Sequence, residues 1–209
     1  MTEYFKLYNQ SVDYCARTDF TGKVRELYNL KVMGAVDYYK LAFSNSTLSI
    51  NTITLDNKIS FIAGLEAEIF LPFNINIWSL VVEPSYEHLK NAKSISIYSA
   101  NLDLQSVTFP IGIRYTNYLN YNFKCYLNGL FIPSFCATFG SDLDINNTGK
   151  DIFQGNSYAF GAGASYKNLN AEFRYYSSRE LLTNYIFWST GYPRFAFLMS
   201  YTFYHKSGK

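Results

Sequence analysis

Residues 194–203 read Arg-Phe-Ala-Phe-Leu-Met-Ser-Tyr-Thr-Phe. In an extended chain Phe195, Phe197, Met199, Tyr201 and Phe203 share one face, and Ala196, Leu198, Ser200 and Thr202 share the other. A period of two is the signal of a β-strand. Upstream, residues 171–177, Ala-Glu-Phe-Arg-Tyr-Tyr-Ser, repeat the pattern, with Ala171, Phe173 and Tyr175 set against Glu172, Arg174 and Tyr176. The two runs predict a hairpin joined by a long loop over 177–193. One side of it is large and aromatic; the other carries small residues and opposite charges. A soluble sandwich buries its apolar face against a second sheet, whereas a membrane barrel turns that face to lipid and fills its inside with polar groups.

The same alternation recurs along the chain. Residues 27–43 form a first predicted strand, with Leu30, Val32 and Val36 on one face. Residues 58–72 give the clearest pattern, Ile59, Phe61, Ala63, Leu65, Ala67, Ile69 and Leu71 facing away from Ser60, Ile62, Gly64, Glu66, Glu68 and Phe70. Two glutamates on one face cannot point into lipid. Over 78–89, Leu80, Val82, Pro84 and Tyr86 oppose Val81, Glu83 and Ser85, and Pro84 removes a ladder donor, so an irregularity is expected there. Over 101–115, Val107, Phe109, Ile111, Ile113 and Tyr115 oppose Thr108, Pro110, Gly112 and Arg114. A strand over 123–139 has no clear face assignment. Over 157–167, Tyr158, Phe160, Ala162, Ala164 and Tyr166 oppose Ala159, Gly161, Gly163 and Ser165, and a tight turn at Asn168-Leu169 leads into the final hairpin.

Eight strands result. Long connections (44–57, 90–100, 140–156, 177–193) alternate with shorter ones (73–77, 116–122, 168–169). Outer-membrane barrels show this alternation, an even strand number and both termini in the periplasm. The expected fold is all-β: an eight-stranded antiparallel up-and-down transmembrane β-barrel over 27–204. It is preceded by a lead-in or periplasmic arm (1–26), a candidate partner-docking segment, and followed by a tail (205–209). Trp78 beside a turn and Trp188 in a long loop suit an interfacial aromatic belt.

Composition narrows the function. The 209 residues include 20 Tyr and 18 Phe, and 19% are aromatic. Yet mean hydropathy is slightly below zero, and no run approaches the roughly 20 apolar residues of a membrane helix. Barrels combine these two properties. The 18 basic and 16 acidic residues give a net charge of +2, which argues against a nucleic-acid partner. Cys125 and Cys136, on one predicted strand, would stand more than about 30 Å apart and can neither bridge nor share a metal. The opening Met-Thr-Glu-Tyr lacks a basic and then apolar leader, and Cys15 follows no lipoprotein cleavage box. A mature form or a fragment is therefore expected.

Several stretches resemble the Bacteroidota-type outer-membrane β-barrel family, the PorT-like and OmpX-like small barrels. They are residues 58–73 (Lys-Ile-Ser-Phe-Ile-Ala-Gly-Leu-Glu-Ala-Glu-Ile-Phe-Leu-Pro-Phe), 78–86 (Trp-Ser-Leu-Val-Val-Glu-Pro-Ser-Tyr), 109–115 (Phe-Pro-Ile-Gly-Ile-Arg-Tyr), 172–176 and 179–185. The resemblance spans about 27–204. It implies a barrel in the outer membrane, in contact with lipid and with other envelope components such as secretion machinery, but no single activity. The chain departs from the family's pattern in lacking a leader and in continuing past its last aromatic strand residue with His205-Lys-Ser-Gly-Lys209.

Glu66, Glu68, Glu83 and Glu172 share the predicted inner face with Arg114 and Arg174. They are either a carboxylate site for acid–base work or the ion-paired filling of a narrow barrel, and an eight-stranded barrel has room for side chains and little else. The filling is the expected role, with a closed lumen. Residues 142–151, Asp-Leu-Asp-Ile-Asn-Asn-Thr-Gly-Lys-Asp, place Asp142, Asp144, Asn146 and Asp151 as candidate calcium ligands. Against this, the glycine is displaced and Phe153 stands where a bidentate glutamate belongs. No other cofactor is expected. The only histidines, His88 and His205, sit in no Ser–His–acid pattern, and Gly161-Ala-Gly163 lies inside a strand rather than opening a helix. A non-enzymatic envelope or loop-binding role is expected. The alternatives are a soluble lipocalin-like barrel around an apolar ligand and, further off, a barrel enzyme. Orientation separates them: Glu66, Arg114, Glu172 and Arg174 point out in the lipocalin and in under the membrane assignment.

Overall fold

The computed structural model describes residues 25–45, 52–73, 76–95, 98–120, 122–134, 137–138, 141–145, 148–150, 152, 154–184 and 187–207. Eight barrel strands run antiparallel to their neighbours: β1 (Glu26–Tyr39), β2 (Lys58–Phe70), β3 in two pieces (Trp78–Val82 and Ser85–Ile95), β4 in two pieces (Tyr98–Thr108 and Ile111–Tyr118), β5 (Phe123–Ile132), β6 (Ser157–Tyr166), β7 (Leu169–Tyr176) and β8 (Arg194–Ser207). Each pairs with the next in the chain, and β1 pairs with both β2 and β8, which closes the sheet on itself. Closure removes the free edges that an open sheet would leave.

The breaks in β3 and β4 face each other and have one cause. Pro84 and Pro110 each lack the N–H a ladder needs. The chain steps past them with Leu65 donating its N–H to the Pro84 carbonyl at 3.0 Å and Glu83 donating to the Pro110 carbonyl at 2.9 Å. Gly64 makes the step possible, since a Cβ there would lie 2.8–2.9 Å from Cβ and Cα of Ser85. At the β6–β7 turn the loop residues are Lys167 and Asn168, with Tyr166 paired to Leu169 and Lys167 at φ 54°. The turn thus sits one residue earlier than the sequence suggested.

Faces follow the period-two pattern. Phe61 (72% exposed), Phe160 (63%) and Ile59 (63%) stand on the outer surface, whereas Arg114 (1%) and Arg174 (0%) are inside. The ambiguous strand resolves as β5, which ends at Ile132 with Leu127 and Phe131 out and Tyr126, Asn128 and Leu130 in. Such an exterior would be ruinous in water, since contiguous apolar patches beyond a few hundred Å² mark contact surfaces. The protein is an eight-stranded transmembrane β-barrel, and the lipocalin orientation is overturned.

Several connections differ from the loops expected of them. Residues 90–100 continue β3 and β4 as a hairpin whose pairing runs from Ser85↔Thr108 to Ile95↔Tyr98. Only Ser85–His88 of this arm also touches β2, so the rest projects past the barrel wall. Asp142–Ile145 adds to the arm beside Asn101 and Leu102, and pairs in turn with Thr148–Lys150. Ala42–Asn45, whose first two residues were expected to end the first strand and whose last two were expected in the loop after it, instead joins Thr52–Thr54 and Trp188–Gly191 in a separate three-stranded sheet, which takes Trp188 out of an irregular loop. Polar sequence hid these strands because, beyond the bilayer, neither face of a strand has to be apolar. β8 continues to Ser207, opposite Glu26, past the barrel end expected at 204. Residues 1–24 of the lead-in, Cys15 among them, together with Cys136, Asn146, Asp151 and Phe153, lie outside the described residues, while Glu26, expected to end the lead-in, opens β1.

Candidate functional site: the barrel interior and its loop-end cap

The interior is stacked in ionic layers. Nearest the short turns, Lys31 on β1 reaches Glu66 at 2.6 Å and Glu68 at 2.8 Å on β2. Arg114, entering from β4, meets both oxygens of Glu66, at 2.6 and 3.0 Å. Two parallel N–H···O bonds on one carboxylate are the stronger, geometrically selective form of ion pair. The Arg114 Nε donates to Asn128 Oδ1 at 2.7 Å, and Asn128 Nδ2 donates to Glu172 at 2.8 Å. Arg174 links the next layer: its Nε donates to Glu172 at 2.7 Å, and its two Nη atoms hold both oxygens of Glu83 at 2.5 and 3.0 Å. All six charged residues expected to face inward, Glu66, Glu68, Glu83, Arg114, Glu172 and Arg174, are therefore buried and within one chain of contacts.

Space for this chain comes from glycine. A Cβ on Gly161 would collide with Glu172 Oε1, and one on Gly163 would collide with the Tyr126 ring. That ring in turn lies 4.3 Å from the Arg114 guanidinium, a cation–π contact. The two glycines are cut-outs in one strand for bulky groups on its neighbours.

A third layer was not anticipated from the sequence. Arg194, the first residue of β8, donates to Glu87 at 2.5 Å and to Asp37 at 3.2 Å. Ser106 Oγ donates to the other Glu87 oxygen at 2.9 Å, and the Arg194 guanidinium lies 4.1 Å from the Tyr176 ring. The signal was present: Lys31 and Asp37 have the opposite parity to Val32 and Val36, Glu87 shares the parity of Glu83, and Arg194 shares that of Ala196.

Above this layer the polarity changes. Tyr39, Leu41, Phe43, Leu55, Leu89, Leu102, Leu104, Ile152, Leu181, Leu182 and Tyr192 form an apolar core over the loop end, separate from the inward apolar cluster of the barrel around Met33, Ile62 and Leu130. Loops, the projecting hairpin and the three-stranded sheet supply it. Polar clamps hold the pieces: Arg179 donates to the carbonyls of Gly155 at 2.7 Å and Pro133 at 3.0 Å, and Glu180 accepts from Ser189 Oγ at 2.8 Å and the Thr190 N–H at 2.7 Å. Tyr192 joins cap to barrel, its ring edge-on to Tyr39 at 5.6 Å and its hydroxyl accepting from Arg194 at 3.3 Å. Outside the cap core, on the projecting hairpin, Asp103 takes His88 Nε2 and Lys90 Nζ at 2.9 Å each. The Lys90 hydrogen bond, with that of His88 behind it, holds the Asp103 carboxyl below the usual carboxylate range.

Of the candidate calcium ligands, Asp142 and Asp144 lie on the strand paired with Asn101–Asp103, and Asn146 and Asp151 lie outside the described residues. No group of three or more His, Cys, Asp or Glu side chains that could hold a metal ion occurs among the described residues. Cys125 carries a free thiol on β5.

No family model matches the chain, and no curated protein matches it. Solved structures give distant likenesses of shape. Neisserial surface protein A has a TM-score of 0.45 at 16% identity, over 83% of this chain and 97% of that one. Ail, the attachment invasion locus protein of Yersinia pestis, solved with the heparin analogue sucrose octasulfate, has a TM-score of 0.41 at 12% identity, over 83% and 99%. A de novo designed transmembrane β-barrel has a TM-score of 0.37 at 16% identity, over 83% and 94%.

Proposed function

We propose that this protein is a non-enzymatic integral outer-membrane barrel whose lumen is plugged and whose work is done by the capped loop end. The observation that carries this is the inversion of polarity across one wall: Phe61 and Phe160 outside, Arg114 and Arg174 fully enclosed. One bidentate arginine reaches from β4 past β3 to β2 and another crosses from β7 to β3 on the opposite wall, so the axis is occupied by side chains. The apolar cap then presents a folded surface, suited to binding another envelope component or to acting as an accessory subunit of an envelope or secretion complex. Both termini face the periplasm in this arrangement, and no cofactor takes part. The narrower resemblance to PorT-like Bacteroidota barrels stands on the quoted sequence stretches alone.

Purification with and without detergent tests the assignment. The protein is expected to aggregate in plain buffer and, in detergent micelles, to show β-type circular dichroism and heat-modifiable gel mobility. In a planar bilayer it should pass no steady open-channel current. A folded monomer in plain buffer would overturn the membrane placement, and a steady ohmic pore would overturn the plug.

A further inference from the structure

Among the described residues the buried charges are six carboxylates and five cations. An enclosed, low-dielectric interior does not keep an uncompensated charge; the group changes protonation state instead. Five of the six carboxylates have both oxygens engaged. Glu66 and Glu83 are each gripped by an arginine fork. Glu68 takes Ser79 and Lys31, Glu87 takes Ser106 and Arg194, and Glu172 takes Arg174 and Asn128. Asp37 differs. It is 0% exposed, its Oδ2 lies 3.2 Å from an Arg194 nitrogen that is closer to Glu87, and its Oδ1 has no partner.

The groups around Asp37 can be named from every side. β8 offers Arg194, β3 offers Glu87, β7 offers Tyr176, and the segment before β8 offers Tyr192. Tyr39 follows on its own face of β1. Arg179, in the cap, donates to two backbone carbonyls. From β2 comes Ser60, the cross-strand partner of Asp37, buried and with its own hydroxyl oxygen unpartnered. Directly opposed residues have Cβ atoms about 4.5–5.5 Å apart, within reach of a hydrogen bond between these two short side chains.

We propose that Asp37 is a proton-binding site of the barrel interior, holding the proton on Oδ1 at pH 7 with the Ser60 hydroxyl as its acceptor. The proton comes from water, and its uptake neutralises the one buried carboxylate among the described residues whose second oxygen has no partner. The site lies where the ionic layers meet the cap, so losing the proton places an unmatched charge beneath Tyr39 and Tyr192. An acid that is neutral when folded and ionised when unfolded binds more protons in the folded state. The stability it confers is therefore present at low pH and lost as pH rises through the folded protein's titration, the reverse of the usual paired carboxylate.

Infrared spectroscopy of the protein in detergent micelles tests this without any variant. At pH 7 a protonated-carboxyl carbonyl band is expected, shifted by 13C-aspartate and unmoved by 13C-glutamate, because Asp37 is the only buried aspartate among the described residues. The band should vanish in Asp37→Asn. It should also vanish in Glu87→Gln, where removing one acid lets Asp37 ionise against Arg194, an effect that a merely structural Asp37 would not produce. Thermal mobility shifts should fall from pH 7 to 9 in the natural chain and stay level in Asp37→Asn. The absence of a protonated-carboxyl band at pH 7 would mean an ionised, hydrated Asp37, and a band that follows 13C-glutamate would put the proton elsewhere; either overturns the proposal. If neither variant refolds, the labelled natural chain still decides.

Discussion

The barrel wall and the loop-end cap obey opposite rules within one chain. Between the turns and Arg194 the sheet puts most of its large apolar side chains outside and its charges inside, where they share the interior with a small inward cluster that includes Met33, Ile62, Val81, Leu130 and Leu198. In the cap, Leu41, Leu89, Leu104 and Leu181 are fully buried and the polar trio His88, Lys90 and Asp103 lies on the surface. The change of polarity does not need a break in the strand, since the arms Ser85–Ile95 and Tyr98–Thr108 run through this boundary unbroken. What changes is the solvent. Lipid gives no hydrophobic reward for inward grease, so the wall's interior is organised around charge-assisted hydrogen bonds, with apolar side chains such as Met33 and Leu130 filling the space between layers. Water does give that reward, so the cap has the polarity of any small soluble core.

The largest way to break the contrast is to leave a buried charge unanswered. Arg174→Leu strips Glu83 of both its carboxylate hydrogen bonds and Glu172 of one. Removing one member of a buried pair costs about 3–5 kcal/mol, and the denaturation midpoint in micelles should fall accordingly. Replacing Glu83 and Glu172 as well, by apolar residues of similar size, should recover most of the loss, because a network without members has nothing to desolvate. Recovery smaller than a third of the loss would mean that the pairs do more than answer one another.

The cap should respond differently. Leu181→Ala cuts a buried leucine out of an apolar core, a change that costs about 2–5 kcal/mol. The loss should fall on the cap alone: faster hydrogen exchange and proteolysis over 177–192, with heat-modifiable mobility of the barrel retained. Co-operative loss of both would show that wall and cap are one folding unit, joined more tightly than the contacts of Tyr192 imply.

A paired substitution sharpens the difference of solvent. Phe173 (58% exposed) and Phe187 (61%) are equally uncovered, one on the wall and one beside the cap's three-stranded sheet. Arginine on a lipid face costs about 2–4 kcal/mol at the bilayer midplane, whereas a surface substitution in water lies usually within about 0.5 kcal/mol. Phe173→Arg should therefore weaken folding into bilayers and Phe187→Arg should not. Equal effects would place the two rings in the same medium.

Legibility in the sequence divides along the same line. The wall is written in period two because one side of every strand must satisfy lipid, and so Ile59 to Ile69 and Phe195 to Phe203 declare their faces at once. The charges of the lower layers were legible where they interrupted such runs, as Glu66 and Arg114 do. Lys31, Asp37, Glu87 and Arg194 sit at strand positions whose neighbours are less uniform, and only parity counted from Val32, Val36, Glu83 and Ala196 exposes them. The cap was nearly illegible. Its core draws single leucines from segments far apart in the chain, and its added strands have no apolar side to betray them. Residues 90–100 and 142–150 therefore looked like polar loops. That Leu102 and Leu104 alternate with Asp103 was the one local hint.

The smallest effect lies on the projecting hairpin, and its sign separates surface pairing from the pairing inside. Lys90 and His88 both bond Asp103, with much of all three side chains in water. Exposed pairs contribute about 0.2–1 kcal/mol and weaken as salt shortens the screening length to about 3 Å at 1 M. Because Lys90 chiefly, and His88 after it, hold the Asp103 carboxyl below its ordinary range, the folded hairpin binds that proton less readily than the unfolded chain. Its contribution is present above the unfolded value of about 3.9 and is lost as pH falls through the lower, folded one. Amide exchange over 88–105 should therefore quicken, relative to the barrel strands, as the protein is acidified below about pH 4 or moved into 1 M salt. Asp103→Asn should show that faster exchange already at pH 7 and no further change with either treatment. The ion pairs of Arg114 and Arg174, sealed from solvent, should give no salt response at all; one comparable to the hairpin's would mean that water and ions reach the axis of the barrel.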